Sequence, residues 1–301
     1  MHASDEGIPT TATRRRLLHA LATGSLLGVA PWLQAAADQA APVSQLRQLE
    51  TLSRGRLGVA AFDTASGSAI TYRSDERFPF CSTVKLVIVG GILQRSEHDS
   101  ALLQQRLRYA RADLMTYSPV TEVHLADGMT VAELCDAAIR FSDNTAANLL
   151  IQLAGGPAAI TAFARTIGDA SFRLDRRETA LNTAIPGDAR DSTTPTAMAR
   201  TLQRLALGDA LAAPQRRLLE GWLRGNTTGD TRIRAGVPAH WQVGDKTGTG
   251  AYGTTNDIGV VWRPAAAPLV LALYFTQPAQ DARARNDVLA SATRIIAAAF
   301  G

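Results

Sequence analysis

Apolar residues recur at roughly helical spacing from Val43 to Arg54, and two strand-like runs follow, Leu57–Phe62 and Ala69–Tyr72, joined at Gly67. A helix and then a hairpin are predicted. From Ser82 to about Trp222 the pattern turns helical almost throughout, in segments near 82–95, 99–108, 130–139, 144–153, 156–167, 195–207 and 214–223. Trp241–Asp245 reads as an edge strand, Asp257–Trp262 and Pro268–Phe275 as further strands, and about Ala282 to Phe300 as a last helix. Strands at both ends with helices between them predict an α/β (α+β) chain. An antiparallel sheet flanked by helices is built from both termini, an all-helical domain is inserted, and the cleft between the two is the natural place for a site. The expected bounds are 38–80 with 225–301 for the α/β domain and 81–224 for the helical one.

The first 37 residues are set aside from the fold. Thr13-Arg14-Arg15-Arg16 opens a short apolar run that ends in Ala35-Ala36-Ala37, the pattern of a signal peptide of twin-arginine type. The run from Leu17 to Leu33 is broken by Gly24, Gly28 and Pro31 and is too short to span a bilayer stably. Processing near Ala37, a periplasmic product and no stable membrane association afterwards are therefore expected.

The formal net charge of +4 is spread over scattered residues, and Arg14, Arg15 and Arg16 leave with the signal, so no nucleic-acid partner is expected. The five histidines form no His-Glu-x-x-His run and no Cys-x-x-Cys is present, so no metal site and no cofactor are expected. Cys81 and Cys135 are expected as two free, buried thiols. Nothing suggests an obligate assembly, and a monomer is expected.

Of 31 basic residues only Lys85 and Lys246 are lysines. An amine, unlike a guanidinium, can lose its proton near neutral pH and act as a base, so both are candidates for chemistry. Lys85 closes Ser82-Thr83-Val84-Lys85 at the start of an apolar helix, where three residues of spacing puts both side chains on one face. Unsatisfied N–H groups at such a terminus can stabilise an oxyanion. That fragment alone reads as readily as an N-cap, and Ser142-Asp143-Asn144 alone as a cluster of capping residues. Their order with Lys246-Thr247-Gly248 changes the odds, about sixty residues separating the first two and about a hundred the last two.

With these three motifs the chain resembles the class A β-lactamases over essentially its whole mature length. Asp175–Asn182 is similar to part of that family's Ω-loop, here around 175–191, with Glu178 and Asn182 at the positions that hold the deacylating water. The family usually has proline after this glutamate, where this chain has Thr179; a strained peptide bond or an altered loop path follows. Arg232 resembles an arginine that some members place beside the second lysine to bind the substrate carboxylate, with a surface arginine as the alternative. Tyr117 resembles the aromatic lining the cleft, or is a packing residue. Cys81 stands where carbapenem-hydrolysing relatives have half of a bridge and Cys135 where others do, but the partner positions are Gly250 and Val89.

The resemblance implies hydrolysis of the β-lactam ring of penicillins, and by Thr249 of cephalosporins, through an acyl-enzyme on Ser82. Lys85 and Glu178 are the implied bases, Ser142 the proton relay, and Asn144 and Asn182 positioning groups. Lys246, Thr247, Thr249 and Arg232 would take the carboxylate. A penicillin-binding peptidase would share Ser82, Lys85, Ser142 and Lys246 but lack Glu178. A β-lactam sensor would stop at acylation, and a Ser-His-Asp esterase would need a Gly-x-Ser-x-Gly elbow that the chain lacks.

Overall fold

The computed structural model describes His2 and residues 31–301, with side chains from residue 40 onward. The leader read at 1–37 lies outside the described residues except for His2 and the helical backbone of 31–37. In chain order the elements are α1 (Pro31–Ser53), β1 (Arg56–Asp63), β2 (Ala69–Tyr72), β3 (Phe78–Pro79), α2 (Lys85–Ser96), β4 (Arg106–Leu107), β5 (Met129–Thr130), α3 (Val131–Arg140), α4 (Asn144–Ala154), α5 (Pro157–Thr166), β6 (Ser192–Thr193), α6 (Pro195–Ala206), α7 (Ala213–Arg224), α8 (Ile233–Gly236), β7 (Gln242–Thr249), β8 (Thr255–Trp262), β9 (Leu269–Thr276) and α9 (Asn286–Phe300).

Five strands make one antiparallel sheet in the order β2-β1-β9-β8-β7. The N-terminal hairpin is thus joined to the C-terminal meander through β1 and β9, in register from Arg56 opposite Thr276 to Asp63 opposite Leu269. Both faces are covered, which explains why β1 and β9 read as nearly continuous apolar runs. Leu57, Val59 and Ala61 pack with Leu271 and Leu273, with Leu46 of α1 and with Val288, Leu289 and Ile296 of α9. The alternate residues Ala60, Phe62, Val270, Ala272 and Tyr274 join a second core that continues into α2, α3, α4 and α6. Residues 38–301 form one compact unit.

Local chemistry sets the helix starts. Thr130 and Glu133 close a reciprocal capping box on α3, Asp143 Oδ1 accepts Ala146 N–H at 2.8 Å to cap α4, and Thr194 Oγ1 accepts Ala197 N–H to cap α6. Two expected helices differ. No helix covers 99–108: Leu102–Gln104 is a single 3-10 turn begun by Asp99, and Arg106–Leu107 is drawn into a ladder with Met129–Thr130. The last helix begins at Asn286, because the chain before it bonds to the loop after β7, where Tyr252 N–H donates to Gln280 C=O. No single helix among the described residues is long and apolar enough to cross a membrane.

Candidate active site

Ser82 sits in a 3-10 turn, Cys81–Val84, that runs straight into α2, so Lys85 follows one turn later on the same face. Lys85 is wholly buried, yet its ammonium meets Ser82 Oγ at 3.0 Å, Ser142 C=O at 2.7 Å, Asn144 Oδ1 at 2.7 Å and Glu178 Oε1 at 3.1 Å. Burial pushes its amine below the usual lysine range, and the Glu178 carboxylate opposes that shift. Ser82 Oγ–H donates to Glu178 Oε1 at 3.0 Å, while Asn182 Nδ2 donates to Oε2 at 2.6 Å. Asn182 Oδ1 is buried without a protein partner among the described residues.

The Ser142–Asn144 segment reaches the site because Asp143 is a hub below it. Its carboxylate accepts N–H bonds from Val120, Thr121 and Ala146 and the Thr121 hydroxyl. That fixes the turn preceding α4 and leaves Ser142, at φ +56°, pointing its hydroxyl between the two lysines. Lys85 Nζ lies 3.2 Å and Lys246 Nζ 3.1 Å from Ser142 Oγ. Asn144 N–H donates to Tyr117 C=O and its side chain to Thr116 C=O, which ties down the loop carrying Tyr117, itself 58% exposed.

On the opposite wall, β7 presents Lys246, Thr247 and Thr249. Gly248 lets this strand close against Ser82, since a β-carbon there would stand 2.7 Å from Phe80 C=O and 3.2 Å from Ser82 N. Burial, then the neighbouring Lys85 charge, holds the Lys246 amine well below its usual range. Arg232 is nearly buried and spreads its guanidinium over Gly248 C=O, Asn256 C=O, Thr249 Oγ1 and Asn286 Oδ1. Its surface alternative is thereby removed.

The cleft these walls enclose has a volume of about 370 Å³ and is lined by Ser82, Tyr117, Ser142, Asn144, Asn182, Thr228, Arg232, Thr247, Gly248 and Thr249. Lys85, Glu178 and Lys246 lie just behind that lining, so all eleven residues singled out in the sequence meet at one place. A larger cavity of about 730 Å³, lined by Val237, Trp241, Arg294 and Phe300 among others, contains none of them.

The model of the β-lactamase enzyme family matches residues 41–300. The chain belongs to that family. It is 54% identical to β-lactamase Toho-1 of Escherichia coli over 97% of this chain and 99% of that one. It is 57% identical to β-lactamase OXY-2 of Klebsiella oxytoca over 84% and 87%. A crystal structure of a β-lactamase from Desulfarculus baarsii superposes with a TM-score of 0.86 at 57% identity, covering 89% of this chain and 98% of the other.

In this β-lactamase the peptide bond from Glu178 to Thr179 is cis without proline. Asn148 brackets it: its Nδ2 donates to Glu178 C=O at 2.7 Å and its Oδ1 accepts Glu178 N–H at 2.9 Å. Asp191 anchors the base of the same loop by accepting N–H bonds from Asp175 and Arg176 and pairing with the Arg176 side chain. Asn148 was missed in the sequence, although it lies four residues after Asn144 and so on the same face of α4. Asn286, which accepts from Arg232, and Thr228, whose hydroxyl lies 2.6 Å from that of Thr247, were missed as well, because their contacts run through space and no spacing announces them. Both cysteines are free and buried. A β-carbon at Gly250 would stand 2.7 Å from Cys81 Sγ, so the two positions are neighbours without a second sulfur.

Proposed function

We propose that Ser82 is the nucleophile with which this serine β-lactamase opens the ring of its antibiotic substrates. The observation carrying this assignment is the continuous bonded set Ser82–Lys85–Ser142–Lys246, with Glu178 Oε1 in contact with both Ser82 Oγ and Lys85 Nζ. The lactam carbonyl oxygen enters a hole made by the backbone N–H groups of Ser82 and Thr249, each worth about 3 to 4 kcal/mol in the transition state. The Ser82 proton passes to one of the two acceptors in contact with its oxygen, Lys85 Nζ once deprotonated or Glu178 Oε1, and Oγ bonds to the carbonyl carbon. As the carbon–nitrogen bond breaks, Ser142 hands a proton to the departing nitrogen and is resupplied from Lys85 or Lys246. Water held by Glu178 and the unpartnered Asn182 Oδ1 then attacks the ester and restores Ser82. Asn144 aligns Lys85 and the substrate side-chain amide, and Tyr117 lines the rim.

The carboxylate of a penicillin or cephalosporin docks between Lys246, Thr247, Thr249 and Arg232. The cleft separates an α/β domain, 38–80 with 225–301, from a helical domain, 81–224. The enzyme works as a monomer in the periplasm, exported by the twin-arginine route through the leader at 1–37. The test is ring opening of benzylpenicillin and a cephalosporin followed by absorbance. Wild type turns both over and Ser82→Ala neither; comparable hydrolysis by Ser82→Ala would remove Ser82 from the mechanism.

A further inference from the structure

Thr228 lines the cleft without any role so far, and it stands in a chain of hydrogen bonds whose direction can be worked out donor by donor. Asn226 Nδ2 donates to Asp245 Oδ2 at 2.6 Å, and Asn226 Oδ1 accepts the backbone N–H of Thr228 at 3.1 Å. Both contacts fix which end of that amide is oxygen. Thr228 Oγ1 lies 2.8 Å from the same Oδ1, and an amide oxygen only accepts, so the Thr228 hydroxyl proton is spent there. Thr228 Oγ1 also lies 2.6 Å from Thr247 Oγ1. A hydroxyl has one proton, so in this second contact Thr247 is the donor.

The consequence runs against the docking role of Thr247. Its proton is engaged by Thr228, so toward a ligand in the cleft it offers a lone pair. Thr249 is set the opposite way: Arg232, which can only donate, already bonds to its oxygen at 2.8 Å, so the Thr249 hydroxyl proton is free for a ligand. We infer that Thr228 is a positioning residue acting through Thr247, one that competes with the substrate carboxylate for the Thr247 proton. To bond the carboxylate, Thr247 must turn its proton to the cleft and Thr228 must turn its own to Thr247, which breaks the bond to Asn226 Oδ1. Each binding event forfeits one hydrogen bond of the resting enzyme. The inference rests on the carboxylate docking proposed above.

The test compares Thr228→Val, close to isosteric with threonine and lacking the hydroxyl, with wild type on benzylpenicillin. KM should fall about 2- to 13-fold with kcat unchanged, the range that one net hydrogen bond of about 0.5–1.5 kcal/mol spans. Thr228→Ala should move it in the same direction, Thr228→Ser should restore the wild-type value, and in a Thr247→Val background Thr228→Val should do nothing. An unchanged or raised KM in Thr228→Val and Thr228→Ala overturns the inference, a raised value meaning that Thr228 itself holds the substrate. Thr249→Val separates the two layers of the argument. If it leaves KM unaltered, the docking reading fails and takes this inference with it; if it raises KM while Thr228→Val does not lower it, docking stands and the relay is wrong.

Discussion

At the scale of single residues the site is a problem in holding charges out of water. Two lysines and a glutamate are fully or almost fully buried within one bonded set, which is tolerable only because each polar atom finds a partner. Ser142 is the one hydroxyl that touches both amines. Ser142→Ala should therefore cut the acylation rate with benzylpenicillin about 100-fold or more and, by taking a hydrogen-bond partner from each buried amine, lower the melting temperature as well. Stopped-flow absorbance with a thermal melt checks this, and a variant acylating within a few-fold of wild type would exclude the relay. Much of this layer was legible in the sequence. Ser82 and Lys85 share a face because helical geometry returns a side chain after three residues, and the rarity of lysine singled out Lys85 and Lys246. Asn226, Thr228 and Asn286 were not legible, since their effect is to fix the donor direction or tilt of Thr247 and Arg232 through space.

At the scale of elements, the strands were readable because both faces of the sheet are apolar, and the helices of the middle segment because their caps, Thr130, Asp143 and Thr194, stand just before apolar periodicity. The failure at 99–108 has a physical cause: Leu102, Leu103 and Leu107 meet the core from a turn and a two-residue ladder, so apolar spacing alone mimicked a helix. Turns at the sheet's far end carry their own charge chemistry. Asp63 ends β1, accepting the Ala65 and Ser66 N–H groups and pairing with Arg263 beyond β8. The Ser66 N–H, then the Arg263 guanidinium, hold its carboxyl down to about 2 from the usual 3.8. A carboxyl whose pKa is lowered by folding stabilises the fold above its unfolded pKa, and that contribution vanishes as pH falls through the folded value. The melting-temperature difference between wild type and Asp63→Asn should be full above pH about 4 and shrink toward zero by pH about 2. A difference that does not change with pH over that window would show that the charge is not what stabilises the turn.

At the scale of the whole molecule, the sheet is shared between the chain's two ends, its N-terminal hairpin joined through β1 and β9 to the strands that end in the wall carrying Lys246 and Thr249. The cysteines lie inside this body, Cys81 beside the nucleophile and Cys135 in α3, and burial raises both thiols above their usual range. Thiol reagent should find none in the native enzyme and two in the denatured, unreduced one; finding none after denaturation would mean a disulfide and a different arrangement around Ser82. The leader at 1–37 was read from its arginine run and the short apolar stretch after it, and apart from His2 and the helical backbone of 31–37 it lies outside the described residues.

The proposed mechanism has two separate steps at one serine, with Glu178 needed for release. Intact-protein mass spectrometry after mixing with benzylpenicillin reads this directly. Wild type should return to its free mass as the substrate is consumed, and Glu178→Ala should accumulate a single penicilloyl adduct that a second change, Ser82→Ala, abolishes. A wild-type enzyme that itself stays acylated, or a Glu178→Ala variant that turns over as fast as wild type, would contradict it.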